Sequence, residues 1–251
     1  MLDISQTFAK GLHVLKAFDL AEADLSIAEV ARRSDVDRAV ARRLVHTLVH
    51  LGYARQCGRH FRLTPKVLLL SSGFLQSRHF TKTVVPLLNE FSREIASPIY
   101  LATRDGFDVV YLAHAALENQ AISLGLGVGS RLPLLTTSIG RALLMTASEQ
   151  ERTEAIENAP LMQNTRKTTM ERAEIAKCVE QARDREVVFC DSEFEAGVAA
   201  VAMPLPSINS FPIAIGMSSE RETFTASYLR KVERALRSCR SNLANTIQNI
   251  W

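Results

Sequence analysis

The sequence predicts an α+β chain in two parts: a small basic helical module closed by a β-hairpin, then a larger domain of interleaved strands and helices. Three observations carry that expectation. Residues 1–80 hold 12 lysines and arginines against 7 acidic residues, and five of the six histidines, whereas residues 81–251 hold 18 against 20. Within the first 64 residues, two helix starts carry explicit capping chemistry, and the second of those helices leads into a hairpin. Beyond Ser97-Pro98, short apolar runs of strand type alternate with helical patterns. Of 251 residues, 47% are hydrophobic and 23% charged, which excludes a disordered or fibrous chain. No apolar run approaches the ~20 residues that span a bilayer, and Met1-Leu2-Asp3-Ile4 lacks the pattern of a signal peptide. Cys57, Cys178, Cys190 and Cys239 are widely spaced without a C-x-x-C pair, so they read as reduced thiols of a cytoplasmic protein. No metal or cofactor is expected.

Phe8 to Leu20 places Leu12, Leu15 and Phe18 three residues apart, a helical stripe. Ser26-Ile27-Ala28-Glu29 is a capping box, because the Ser hydroxyl can accept the Glu29 N–H while Glu29 reaches back. Ser34-Asp35-Val36 reads as a turn. Asp37 then caps a third helix through Leu51, stopped by Gly52. Its apolar face is Ala41, Leu44, Val45, Leu48 and Leu51, and its outer face repeats Arg38, Arg42 and His46 at i, i+4, i+8 with Arg43 alongside. Two helices, a tight turn and a longer second helix form a helix-turn-helix, whose second helix enters the major groove by its N-terminal half. Arginine there can pair with guanine or neutralise phosphate.

An ordinary solvated helix face would explain any one of these arginines, but not a second basic element directly after the helix. In Tyr53-Ala54-Arg55-Gln56-Cys57-Gly58-Arg59-His60-Phe61-Arg62-Leu63, Tyr53, Phe61 and Leu63 can face inward while His60 and Arg62 point out. That is a basic hairpin turning at Cys57-Gly58-Arg59, a wing offering Arg55, Arg59 and Arg62 to phosphates or the minor groove. Residues 1–64 therefore read as a winged helix-turn-helix whose partner is double-stranded DNA.

The segments Phe8-Ala9-Lys10-Gly11-Leu12, Ser26 to Ala31, Ala41-Arg42-Arg43-Leu44, Leu51-Gly52-Tyr53 and Phe61-Arg62-Leu63-Thr64-Pro65 resemble the IclR-type bacterial transcriptional regulators. Within that family they look most like the PcaR, PcaU and PobR-like branch that regulates aromatic acid catabolism. The resemblance covers essentially the whole chain and is strongest before residue 80. It implies a GAF-like effector-binding domain over residues 80–251.

Thr64-Pro65 pairs an N-cap with proline at N1, so a linker helix is expected over residues 65–79. Its run Val67-Leu68-Leu69-Leu70 exceeds a one-sided stripe, and a second subunit is one candidate to cover it. A homodimer, or a tetramer of paired dimers, also suits palindromic operators. A helix through Phe91 and Ile95 comes next, then a strand pair, Ile99 to Thr103 and Phe107 to His114, turned at Arg104-Asp105-Gly106. Ala121 to Leu126 is a further strand candidate. Leu134 to Ala147 carries a helix capped among Thr136, Thr137 and Ser138, and a polar helix spans roughly Met170 to Arg185. Val187 to Cys190, Ala199 to Leu205 and Ile213 to Ser218 complete a sheet of about five or six strands. A long amphipathic helix runs from Phe224 with Leu229, Val232, Leu236, Leu243 and Ile247.

Gly125-Leu126-Gly127-Val128-Gly129 has the wrong spacing for a dinucleotide loop and no P-loop lysine. There is no G-x-S-x-G, and His114 is the sole imidazole beyond residue 80, so the larger domain does not read as an enzyme. A ligand pocket is the better reading. Thr136 to Arg141 sits at a helix start, where free N–H groups and the positive dipole end suit a carboxylate. The family resemblance implies the same place, at Ser138 and Ile139, with Thr137 as neighbour or simple N-cap. It also implies a second wall from the segment Glu186 to Leu205, in which Glu193, Gly197, Ala200, Ala202 and Pro204 match the family pattern. Three positions depart: Glu186 stands for the usual Gly, Cys190 for Asp or Ser, and Ala199 for an Arg common in the aromatic-acid branch. Cys190, Ala199, Ala200 and Ala202 then give a small, weakly polar wall. The expected function is a DNA-binding regulator controlled by a small effector, an aromatic or other small carboxylic acid of a catabolic pathway. The alternatives are a constitutive DNA-binding oligomer without ligand, and an enzyme domain fused to a DNA-binding module.

Overall fold

The computed structural model describes residues 3–18, 24–75, 80–115, 126–208 and 211–247, which fall into two units, 1–77 and 78–251. In the first, α1 (Gln6–Lys16), α2 (Ile27–Ser34) and α3 (Arg38–His50) pack with a three-stranded antiparallel sheet. Its strands are β1 (Leu25–Ser26), β2 (Ala54–Cys57) and β3 (His60–Leu63), in the order β1-β3-β2. Val14, Leu25, Val30, Ala41, Val45 and Phe61 form its core. The capping box is present: Glu29 N–H donates to Ser26 Oγ at 3.3 Å, and Ser26 N–H donates to a Glu29 carboxylate oxygen at 2.7 Å. Asp37 accepts from Ala39 N–H at 2.7 Å, opening α3. The hairpin turns at Gly58-Arg59, with Cys57 paired to His60. After Thr64 the chain makes a 3₁₀ turn (Pro65–Val67) before α4 (Leu68–Leu75), because proline at the first position constrains the entry. Residues 76–79, the end of the expected linker helix, lie outside the described residues.

The second unit is built on a six-stranded sheet, antiparallel throughout: β4 (Ile99–Asp105), β5 (Asp108–Ala115), β6 (Arg131–Pro133), β7 (Val188–Asp191), β8 (Val198–Ile208) and β9 (Phe211–Glu220). The order β6-β5-β4-β9-β8-β7 puts the two long strands β8 and β9 beside the centre. On one face, α5 (Val85–Ile95) and α9 (Ala226–Ile247) bury Leu88, Ile95, Leu101, Val201, Ile215, Val232 and Leu236. On the other, α6 (Ser138–Met145), α7 (Glu149–Asn158) and α8 (Arg172–Arg185) pack on Tyr100, Tyr111, Ala202 and Ala214.

Period-two alternation sorts each strand's side chains between these two cores. A bulge breaks it at the Leu101/Ala102 step of the β4–β5 ladder, and the β8–β9 ladder shifts register again between Leu205 and Ile208. The extra residue of the bulge lets Tyr111 face the α6 side and Ala113 the α9 side although their parity is the same.

Several expectations need correction. Helix α6 starts at Ser138 with Thr137 as its N-cap, inside the expected cap, but the edge strand Arg131–Pro133 paired with β5 and the bend at residues 134–137 before it were not expected. Helix α7 was not foreseen, although Ser148 and Glu151 form a second capping box at its start. Of the strand candidate 121–126 only Leu126 is described, and it lies in no strand. Glu186 sits at φ 57 as the left-handed cap of α8, a conformation glycine adopts without cost. Its carboxylate accepts from Arg237 at 3.1 Å and Arg240 at 2.9 Å, so the departure from glycine pins α8 to α9.

Candidate functional site

The outer face of α3 presents Arg38, Arg42, Arg43 and His46, all exposed, because Ala41 and Val45 are buried on the opposite side. The His46 ring meets Phe61 of the wing edge-on at 5.7 Å, so helix and hairpin are packed together. On the wing, Arg55 and Arg59 are exposed. Arg62 is different. Its Nε and Nη2 donate to the two carboxylate oxygens of Asp24 at 2.6 and 2.5 Å, which holds the Asp24 carboxyl below its ordinary range. The expectation that Arg62 points freely outward gives way to a bidentate pair closing the wing onto the start of β1.

A pocket open to solvent at one mouth lies on the α6 face of the larger sheet. Alternation along β7, β8 and β9 aims Cys190, Ala200, Gly216 and Ser218 at it, and β4 and β5 contribute Tyr100 and Tyr111. Gly216 keeps the floor open: a Cβ there would lie 3.1 Å from the Val201 carbonyl oxygen and 3.2 Å from the Ala202 Cβ.

The opposite wall is the bend and first turn of α6, from Thr136 to Ile139. Thr137 Oγ1 accepts from Gly140 N–H at 3.2 Å and donates to the Pro133 carbonyl at 2.8 Å. That leaves the Ser138 and Ile139 N–H groups without an acceptor inside the helix. Gly140 is obligatory, since a Cβ would come within 2.1 Å of the Leu134 carbonyl oxygen.

Of the residues expected to bind effector, Thr137, Ser138, Ile139, Cys190 and Ala200 line this pocket. Ala202 does not; it is fully buried beneath, against Gly216. Ala199, read as part of the wall, faces the other way into the α9 core, because neighbours on a strand point to opposite faces.

Residues not foreseen supply most of the chemistry. Arg141 is 2% exposed and donates Nη1 and Nη2 to the Glu193 carboxylate at 2.7 and 2.6 Å, with Nε on the Leu135 carbonyl at 2.8 Å. Burial alone would raise the Glu193 carboxyl, yet the Arg141 hydrogen bonds and charge hold it below its ordinary value, helped by the Thr169 N–H. Cys190 Sγ lies 3.5 Å from Arg141 Nη1, and burial pushes its thiol up to about 12, so it stays protonated. Tyr100 stacks on Tyr111 with centroids 4.7 Å apart. Among the described residues no cluster of His, Cys, Asp and Glu could hold a metal ion, and no helix is long and apolar enough to cross a membrane.

Tyr100, Tyr111 and Ser218 come from three different strands, and the bulge in the β4–β5 ladder also shifts the face of Tyr111, so no pattern in the linear sequence joins them. Arg141 could have been found, since it stands among Ile139, Ala142, Leu143 and Leu144, where a charged side chain needs a buried partner.

A family model described as the bacterial transcriptional regulator IclR C-terminal domain matches residues 72–245, and one for the IclR helix-turn-helix domain matches residues 7–58. The chain belongs to the IclR family. It is a DNA-binding transcriptional regulator with an effector domain, and not an enzyme. Among its IclR relatives, the Pca regulon regulatory protein of Pseudomonas putida is 34% identical over 81% of this chain and 70% of its own length. The p-hydroxybenzoate hydroxylase transcriptional activator of Acinetobacter baylyi is 30% identical over 96% of this chain and 90% of its own. An IclR homologue from Microbacterium hydrocarbonoxydans, solved in complex with 4-hydroxybenzoate, shares the fold with a TM-score of 0.73 at 19% identity, over 96% of this chain and all of its own.

Proposed function

We propose that this regulator binds a small aromatic carboxylic acid in the α6 pocket and that the ligand changes how the chain, as a homodimer or tetramer, engages its operator. The observation that carries the reading is the pairing of a stacked Tyr100–Tyr111 wall with the uncapped N–H groups of Ser138 and Ile139 in one pocket. Aromatic faces suit a ring, and a helix start suits a carboxylate. Arg141 is fully engaged by Glu193, so backbone N–H groups rather than a cation would take the charge. The names of the relatives point to the same chemistry.

In this reading Arg38, Arg42, Arg43 and His46 address the major groove, and Arg55 and Arg59 of the wing address phosphates. A dimer presents two such modules to a palindromic site. Only a difference in ligand affinity between two arrangements of the protein can drive regulation, and coupling of about 1–3 kcal/mol is typical.

The decisive experiment is a thermal-shift and calorimetric screen against small aromatic and aliphatic acids, because binding stabilises by mass action. Stabilisation by aromatic acids that is lost in Ser138→Trp, with operator binding intact, supports the reading; stabilisation by none of them sinks it in favour of a constitutive DNA-binding protein. For DNA, Arg42→Ala is expected to weaken operator binding roughly tenfold or more and relax base preference, while Arg59→Ala weakens all sequences alike. Gel-shift titrations in which both variants match the parent would refute the groove assignment.

A further inference from the structure

Tyr100 carries a buried hydroxyl with nothing to bond. The residue is 3% exposed, lines the α6 pocket, and its Oη has no hydrogen-bond partner. Buried polar groups are bonded in the great majority of cases, and an orphan calls for an explanation. The ring cannot readily turn away. It lies within 17° of parallel to Tyr111 at 4.7 Å, and its cross-strand neighbour His114 stacks at 6.4 Å. His114 Nδ1 is itself buried and unpartnered, so nothing from that neighbour satisfies the hydroxyl. The Ser218 side chain comes near enough to influence the phenol, but without the geometry of a hydrogen bond. Directly across the ladder stands Gly216, whose missing Cβ keeps space open toward Ile139 on the α6 wall.

We infer that the Tyr100 hydroxyl is the specificity-determining group of the pocket, bonding a second polar group of the ligand remote from its carboxylate. A phenolic Oη both donates and accepts, so it fits a ring hydroxyl in either role. The pocket then selects a hydroxylated aromatic acid over the unsubstituted ring, because the bare ring leaves the orphan unpaired whereas the hydroxylated one pairs it. This rests on the reading that an aromatic acid binds here, and goes beyond it by naming the group that discriminates among such acids.

The test is calorimetric titration of the full chain and of Tyr100→Phe with benzoate, 3-hydroxybenzoate and 4-hydroxybenzoate, together with the melting temperatures without ligand. The parent should bind the better hydroxybenzoate roughly tenfold or more tighter than benzoate. Tyr100→Phe should lose that preference through weaker binding of the hydroxylated acid relative to benzoate. Its ligand-free melting temperature should be unchanged or raised, since an unsatisfied hydroxyl has been removed. Persistence of the preference, equal weakening of all three acids, or a ligand-free variant that melts lower would each overturn the inference, the last by showing that the hydroxyl is satisfied within the protein, with Ser218 as its partner. Binding of the acids by the parent without any preference defeats this inference alone; binding of none defeats the aromatic-acid reading and this inference with it.

Discussion

In each unit an arginine is clamped by a carboxylate through two hydrogen bonds, Arg62 on Asp24 through Nε and Nη2 and Arg141 on Glu193 through Nη1 and Nη2, and the two pairs differ sharply in burial. In the DNA-reading unit, Arg62 and Asp24 are 42% and 38% exposed; in the effector unit, Arg141 and Glu193 are 2% and 9% exposed. Water screens the first pair, so forming it contributes little to stability and breaking it frees a cation at the surface. The second has no water to fall back on. Its attraction offsets the desolvation of two charges only while both are present, and removing one strands the other. The two pairs therefore serve different ends: the exposed pair sets how much positive charge the wing shows, and the buried pair anchors the loop carrying Glu193 to the α6 wall of the pocket.

The largest expected effect tests the buried pair. Arg141→Met or Glu193→Gln alone should cost about 3–5 kcal/mol of stability in urea unfolding. The double variant Arg141→Met with Glu193→Leu should recover most of that loss, since no charge is then stranded. If the double variant is no better than the single ones, burial is not what separates the two pairs.

An intermediate case sharpens the comparison. Asp191, next in the same segment, is held by Arg221 at 2.9 Å and Lys167 at 3.2 Å and is about a third exposed. The Arg221 hydrogen bond leads in pulling its carboxyl from 3.8 to about 2. A depressed carboxyl contributes stability above its unfolded pKa and loses it as pH falls through the folded one. The advantage of the parent over Asp191→Asn should thus be constant above pH 4 and shrink between about 4 and 2. Urea midpoints at stepped pH read this directly, and an advantage that persists unchanged down to pH 2 would contradict it.

The smallest stability effect belongs to the exposed pair. Asp24→Ala should leave the melting temperature nearly unchanged. It should instead tighten nonspecific DNA binding and steepen the salt dependence by about 0.9 in log K against log[salt], the value of one added phosphate contact. An unchanged slope would mean that Arg62 does not reach DNA even when freed.

How much of this was legible beforehand depends on the range of the interactions. The capping box at Ser26 and Glu29, the Asp37 cap, the stop at Gly52 and the arginine stripe of α3 are contacts within one helical turn or one helix face, and each is visible as spacing. The wing hairpin is equally local. The Arg62 pairing is not legible because its partner, Asp24, lies 38 residues away and meets it only when β1 pairs with β3. The pocket was half legible for the same reason: the α6 cap at Thr137 is local, while the facing wall comes from five strands whose order, β5-β4-β9-β8-β7, does not follow the chain. Ala199 is misplaced because a one-residue step along a strand reverses the face, and Ala202 because its burial against Gly216 depends on the pairing of β8 with β9.

By itself the sequence determined the division into a basic and a near-neutral part, the helix with its arginine stripe, the hairpin after it and the capped helix start at Thr137, because these depend on charge, spacing and caps. Only the tertiary structure decided which charges are already spent on one another, as in Arg62–Asp24 and Arg141–Glu193. It alone also decided which groups are left wanting a partner, above all the Tyr100 hydroxyl. Pairing and burial are properties of segments brought together from distant parts of the chain, and no local pattern encodes them.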